Sequence, residues 1–138
     1  MRWNAVCGFK RMSQQSEALK DRTMSFSVNV LRLIDSLPRT IGGDVIARQL
    51  ARSATSVAAN YRSACTARSR RDFVAKLGIV VEEAEESVYW LDLLIRVQVV
   101  ATPSVPALRQ EALELRAIFS RSLGTARANS RAVPEMTR

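Results

Sequence analysis

The chain has 138 residues, of which 47% are hydrophobic and 25% charged, and a formal net charge of +8. This length suits a single domain with a real core. The sequence contains no histidine, which excludes Cys/His metal sites and nucleophile–histidine catalysis. No apolar run approaches the roughly 20 residues of a membrane span, and the N-terminus lacks a signal-peptide core. A cytoplasmic protein without a membrane partner is therefore predicted.

The first half of the chain predicts a tail and two helices. Residues 1–15 show no steady period and are assigned to an N-terminal tail. Apolar residues then recur at helical spacing over residues 16–37, until Pro38 ends the first helix. A second helix is predicted over residues 44–66, with Asp44 as its N-cap.

The second half predicts two more helices. A capping sequence at Ser69 starts the third, over residues 70–100, which should be the longest. The fourth is predicted over residues 106–123, with Gly124 as a C-terminal stop and residues 126–138 as a basic tail. Four helices with short connections over residues 16–125 predict an all-α fold, an antiparallel up-down four-helix bundle.

An acidic run in the third helix raises two alternatives. Carboxylates at helical spacing are typical of di-metal bundles, but those sites also need histidine and matching glutamates on other helices. The alternative is ion pairing, because an equal count outward from the turn near Ala67 puts Arg52 near Glu83. Such an interior network would fix helix register, and removing Arg52 would be strongly destabilising. The predicted network comprises Arg52, Ser56, Asn60, Glu82, Glu83 and Glu86.

A basic stretch where the second helix meets the third is the candidate binding site. Residues 1–71 carry a net charge of +9. Arg62, Arg68, Arg70 and Arg71 cluster at this junction, where the helix N-terminus adds a partial positive charge. The cluster predicts either a nucleic-acid-binding surface or a solvated helix end. Arginine supplies 18 of the 21 basic residues, which could also reflect genome composition alone.

The third helix has an apolar face wider than one neighbour requires. Tyr89 and Trp90 lie together on it. Large aromatic residues are enriched at interfaces, so one of the two is expected to be buried between subunits.

Three segments resemble a bacterial family of four-helix-bundle proteins encoded in intervening sequences of 23S ribosomal RNA genes. These are QLARSATSVAANYRSACTARSRRDF (Gln49 to Phe73), KLGIVVEEAEESVYWLDLL (Lys76 to Leu94) and LKDRTMSFSVNVLRLIDSLP (Leu19 to Pro38). Many relatives have glutamate where this chain has Ser63, so this chain lacks a negative charge beside the basic stretch.

The resemblance implies an up-down bundle and a homo-oligomer, with a pentamer expected. More distant relatives are accessory proteins of diversity-generating retroelements, in which a basic pentamer works with a reverse transcriptase and RNA. The sequence thus predicts a non-enzymatic protein that binds nucleic acid, RNA rather than DNA, through a basic surface. The alternative is a protein-interaction scaffold or accessory subunit, for example for a reverse transcriptase.

Overall fold

The computed structural model describes residues 9–97 and 102–131, with side chains from residue 14 onward. Four α-helices occupy these residues: α1 Phe9–Asp35, α2 Ile41–Cys65, α3 Arg70–Arg96 and α4 Ser104–Arg131. Each helix packs on the next along the chain, and α4 also packs on α1. The fold is an all-α four-helix bundle, as predicted. None of the helices in these residues combines the length and hydropathy needed to cross a membrane.

The core consists of apolar residues that recur at helical spacing in the sequence. Leucine, valine, alanine and phenylalanine from all four helices are buried in one cluster, with Leu50, Leu91 and Phe119 fully enclosed. Truncating any of these three to alanine would cost about 2–5 kcal/mol of folding free energy. Tyr61 stacks at a tilt on Phe119 with ring centroids 5.0 Å apart.

Small polar residues allow close approach between neighbouring helices. Ser27 Oγ of α1 donates a hydrogen bond to the Ala54 carbonyl of α2 at 3.1 Å. Ser87 Oγ of α3 lies 3.0 Å from Ser53 Oγ of α2, and both serines are fully buried. These contacts fix the register of α2 against both of its neighbours.

Two predicted helix starts in the first half differ from the structure. Helix α1 begins at Phe9, so residues 9–15 are helical rather than part of a tail. Thr40, not Asp44, caps α2, and its side chain accepts from the Gly43 N–H at 3.0 Å. A Cβ on Gly43 would lie 2.8 Å from Thr40 Oγ1. The glycine therefore permits this cap, and Asp44 falls in the first helical turn.

The last helix extends beyond its predicted end. Gly124 does not stop α4, which continues to Arg131, because an internal glycine costs only about 1 kcal/mol in a helix. At 28 residues α4 exceeds the 27 of α3, so the prediction that the third helix is longest was wrong. Residues 98–101, at the predicted end of the third helix, and the tail segment 132–138 lie outside the described residues.

The up-down order places distinct segments at each end of the bundle. One end, named the α2–α3 end, holds the turn between α2 and α3, the start of α1 and the end of α4. The opposite end holds the α1–α2 and α3–α4 connections. All four arginines predicted to bind nucleic acid lie at the α2–α3 end.

Candidate nucleic-acid interface

The turn between α2 and α3 is held by short local hydrogen bonds. Ser69 caps α3 by accepting from the Asp72 N–H at 3.0 Å, which confirms the predicted capping sequence. The Asp72 carboxylate accepts from the Arg68 N–H at 3.2 Å, and Lys76 Nζ lies 3.1 Å from it. The turn is thus held by the side chains of Ser69, Asp72 and Lys76 and by backbone N–H groups, and the arginine side chains take no part in these contacts.

The four predicted arginines surround this turn. Arg62 lies in the last turn of α2, Arg68 in the connection, and Arg70 and Arg71 are the first two residues of α3. Three are exposed and Arg70 is half-buried. Within residues 9–97 and 102–131, none of the four forms an ion pair.

Arg70 reaches across to the end of α4. Its Nη1 donates a hydrogen bond to the Asn129 carbonyl at 2.9 Å. That acceptor is neutral, and four of the five N–H donors of the guanidinium are not used by this bond. The contact therefore orients Arg70 without neutralising its charge.

The acids nearest this cluster pair with lysines instead. Glu17 Oε1 lies 2.8 Å from Lys20 Nζ, and this hydrogen bond lowers the pKa of Glu17 below its ordinary value. The pKa of Asp72 is also lowered, first by the hydrogen bond from the Arg68 backbone N–H and then by that from Lys76. Both carboxylates are therefore already engaged, and neither forms an ion pair with an arginine side chain in the described part of the chain. At longer range, the charges of Arg62 and Arg68 add to the lowering of the pKa of Glu17 and of Asp72, respectively.

Arginines on the flank between α1 and α4 show the opposite behaviour. Arg22 of α1 contacts Glu111 and Glu114 of α4 at 2.7 and 2.6 Å. Two parallel hydrogen bonds join Arg22 to Glu111, and they raise the pKa of Arg22. Acids on α4 thus hold this arginine in place between helices.

The flanks of α3 are balanced in the same way. Arg116 of α4 contacts Glu85 of α3 at 2.7 Å, and Arg109 of α4 pairs with Asp92 of α3. Arg52 of α2 pairs with two glutamates of α3. These flank arginines therefore have acidic partners, unlike the arginines around the α2–α3 turn. Arg39, Arg48 and Arg96 in the other half of the bundle also lie outside the ion pairs of the described residues.

Sequence reasoning missed the contribution of α4 to this end. Residues 126–138 were assigned to a tail, yet Arg127 and Arg131 lie on α4 with exposed side chains, as does Arg121 of the predicted helix. None of the three forms an ion pair within the described part of the chain. The signal was present in the sequence, because no proline occurs between Gly124 and Arg131 to end the helix.

The aromatic residue beside the cluster is not available for base stacking. Tyr61 is only 7% exposed and packs on Phe119 inside the core. Burial raises the pKa of the Tyr61 hydroxyl above its ordinary value, with the nearby Cys65 adding to the shift. The α2–α3 end therefore offers charge to a ligand, and this tyrosine offers no ring face.

The predicted polar network forms in part, and it lies at the surface. Arg52 Nη1 lies 3.3 Å from Glu83 Oε2, and Arg52 also pairs with Glu86, so the predicted contact is confirmed. The Trp90 indole N–H donates to Glu86 at 3.1 Å. The hydrogen bond from Arg52 and then that from Trp90 lower the pKa of Glu86. However, the Arg52 side chain is 48% exposed, so the expectation of an interior network was wrong.

The remaining predicted members do not join that group. Asn60 donates to the Ser56 carbonyl of its own helix at 2.8 Å, and both residues are half-buried. Glu82 is exposed and forms no ion pair within the described residues. The buried polar contact between α2 and α3 is instead the Ser53–Ser87 pair.

The aromatic pair on α3 has one exposed and one half-buried member. Tyr89 is 57% exposed, and its ring meets that of Trp90 edge to face with centroids 4.9 Å apart. Val45 of α2 and Val97 after α3 are also exposed, at 53% and 49%. The predicted subunit interface at Tyr89 and Trp90 stays a prediction.

Fold and site together define a class, an up-down four-helix bundle with ion pairs between its helices. Its α2–α3 end, as far as the structure describes it, carries arginines outside any ion pair. The family model of the 23S rRNA-intervening sequence protein matches residues 16–121. The chain belongs to this family, as its resemblance predicted.

A solved structure supports the same assignment. The crystal structure of a protein of unknown function from the S23 ribosomal protein family of Bacteroides thetaiotaomicron is 32% identical to this chain, with a TM-score of 0.72. The match covers 79% of this chain and 97% of that one. No curated protein matches the sequence.

Proposed function

We propose that this protein is a non-enzymatic, oligomeric nucleic-acid-binding protein that contacts the phosphate backbone through its α2–α3 end. The observation that carries the proposal is the contrast between two groups of arginines. Flank arginines such as Arg22 and Arg116 are joined to glutamates by ion pairs, whereas Arg62, Arg68 and Arg71 form no ion pair among the described residues. Clustered cations outside ion pairs repel one another, and a polyanion relieves that repulsion.

The chemistry of the surface favours backbone contact over base recognition. Arginine forks suit phosphate oxygens, and the N-terminus of α3 adds a partial positive charge between Arg70 and Arg71. Tyr61 is buried and offers no stacking platform. Binding should therefore depend on salt and vary little with base sequence. The family description, which refers to intervening sequences of 23S rRNA, supports RNA over DNA as the ligand.

Charge reversal at the start of α3 tests the proposal. Arg70→Glu/Arg71→Glu should weaken the binding of a structured RNA at least tenfold, measured by fluorescence anisotropy. The matched control is Arg39→Glu/Arg48→Glu, which makes the same charge change with exposed arginines from the opposite half of the bundle. Equal losses in both variants would show a net-charge effect only, and the proposed site would be wrong.

We further propose self-association, with a pentamer expected from the family resemblance. The supporting observation is that several large apolar side chains are exposed, among them Tyr89, Val45 and Val97. Tyr89→Glu should reduce the mass measured by light scattering at micromolar concentration. Met24→Glu is the control, since Met24 is 45% exposed on α1, which does not pack on α3 in the described residues. A monomer mass for the unmodified protein would refute the oligomer.

The same exposed apolar side chains favour the alternative function, a scaffold or accessory subunit for a protein such as a reverse transcriptase. An apolar contact loses little affinity between 50 and 200 mM salt, whereas contacts to six to ten phosphates lose about 10³- to 10⁵-fold. Salt-tolerant binding of a protein partner that Tyr89→Glu abolishes, together with no RNA binding, would place the scaffold function first.

A further inference from the structure

The end of α4 carries a second group of arginines whose position is set by ion pairs further down the bundle. Arg109 pairs with Asp92, and Arg116, seven residues later, pairs with Glu85, seven residues earlier on α3. This antiparallel register, continued for fifteen residues, brings Arg131 level with Arg70. The bond from Arg70 to the Asn129 carbonyl agrees with that register to within two residues.

Arg127 lies on the side of α4 that faces α3. It follows Arg116 by eleven residues, which is about three helical turns, so both share one face of the helix. Arg116 on that face contacts Glu85 of α3. At the level of Arg127, the acid nearest along α3 is Asp72, whose carboxylate is held by Lys76 and the Arg68 N–H. Arg127 therefore extends the cationic surface instead of closing a salt bridge to α3.

The surface thus has two halves on different helices. One half is Arg68, Arg70 and Arg71 at the α2–α3 turn, and the other is Arg127 and Arg131 on α4. Packed helices have axes about 8–10 Å apart, and the five guanidinium groups of the two halves together offer more N–H donors than one phosphate group can accept. Arg70 lies between them, because it begins α3 and bonds to the backbone of α4.

From this placement we propose that one nucleic-acid strand crosses both halves, so the site binds several consecutive phosphates rather than a mononucleotide. This inference rests on the proposed function and specifies its ligand. Two surface depressions of the described residues lie elsewhere. One is a cleft of about 590 Å³ between α1 and α4 around Phe26 and Leu108, and the other lies beside Glu82 and Tyr89. An open arginine surface away from both depressions suits an extended polyanion.

Dependence on strand length tests the inference. Oligouridylates of 4 and 12 nucleotides are titrated at 0.15 M salt, where the Debye length is about 8 Å and distant charges are screened. The unmodified protein should bind the 12-mer at least tenfold more tightly than the 4-mer. Arg127→Gln/Arg131→Gln should reduce that advantage at least fivefold, while helical content measured by circular dichroism stays unchanged. Arg39→Gln/Arg48→Gln is the matched control and should keep the full advantage.

The outcomes separate this inference from the function on which it rests. If Arg127→Gln/Arg131→Gln keeps the full length advantage while Arg70→Glu/Arg71→Glu loses binding, the α4 half is not part of the site and the inference is wrong. If the unmodified protein binds neither oligonucleotide nor a structured RNA, the proposed function fails. If inorganic phosphate at millimolar concentration competes as well as the 12-mer, the site holds single phosphates and the inference is again wrong.

Discussion

The buried serine pair between α2 and α3 gives a direct test of how these helices are registered. Ser87 Oγ lies 3.0 Å from Ser53 Oγ and 2.9 Å from the Glu83 carbonyl, while Ser53 Oγ lies 3.3 Å from the Leu50 carbonyl. Replacing either serine with alanine removes the hydrogen bond between the helices. The remaining serine hydroxyl can still donate to a backbone carbonyl of its own helix. The cost should therefore be one net hydrogen bond, about 1 kcal/mol.

A double-mutant cycle isolates this interaction from the effect of alanine on helix propensity. Ser122→Ala is the control, because Ser122 donates to the Ile118 carbonyl of its own helix at 3.0 Å. Relative to that control, Ser53→Ala and Ser87→Ala should each lower the free energy of unfolding by about 1 kcal/mol. The double variant should cost little more than one single, which gives a coupling of about 1 kcal/mol.

Urea unfolding followed by circular dichroism measures all four variants. Single substitutions that add within about 0.3 kcal/mol would mean that the hydroxyls do not interact. The register of α2 against α3 would then lack its buried contact.

Two further predictions concern ion pairs at the surface. Arg52→Ala should lower the midpoint of urea unfolding only modestly, since the side chain is 48% exposed. Arg48→Ala is the control and should have a smaller effect, because Arg48 lies one turn earlier and outside the ion pairs of the described residues. A large loss of stability in Arg52→Ala would instead support the interior network that the sequence predicted. Asp72 has a lowered pKa in the folded state, so its contribution to stability is present above its unfolded pKa of about 3.8 and is lost as the pH falls through the folded pKa. Asp72→Asn should reduce the fall in thermal stability between pH 5 and pH 2, and an unchanged pH profile would contradict the assigned Lys76 and Arg68 contacts.

The helices and their pairing could be predicted because local signals agreed with one another. The apolar spacing defined four helices, and the Ser69 cap fixed the start of α3. In an antiparallel hairpin with a short turn, residues at equal distances from the turn lie beside each other. Counting outward from the turn therefore correctly placed Arg52 near Glu83.

Depth within the bundle could not be predicted in the same way. Whether Arg52 is buried depends on which side of α2 faces the core, and Leu50 and Val57 occupy that side. Counting along a hairpin gives the position of a residue along the bundle axis, but it does not show whether the side chain points to the core or to solvent. The polar pair that is actually buried is Ser53 and Ser87. Small residues such as these occur wherever two helices pack closely, so the sequence does not single out this pair.

The full extent of the arginine surface could also be determined only from the structure. Gly124 is a common helix terminator, yet it is tolerated inside α4, and this carries Arg127 and Arg131 to the α2–α3 end. Four arginines of the surface were found from their position in one turn. The others come from a segment distant in the sequence, which only the packing of α4 on α3 brings alongside.

The salt dependence of RNA binding tests the central claim most directly. The measured quantity is the slope of the logarithm of the association constant against the logarithm of salt concentration. On a single strand each contacted phosphate contributes about −0.7, so six contacts give a slope of about −4. The six contacts are one each from Arg62, Arg68, Arg70, Arg71, Arg127 and Arg131. Arg70→Glu/Arg71→Glu should flatten that slope by at least about 1.4, which corresponds to two contacts. Binding that does not change with salt, or equal slopes for the two proteins, would contradict the assignment of this surface to nucleic acid.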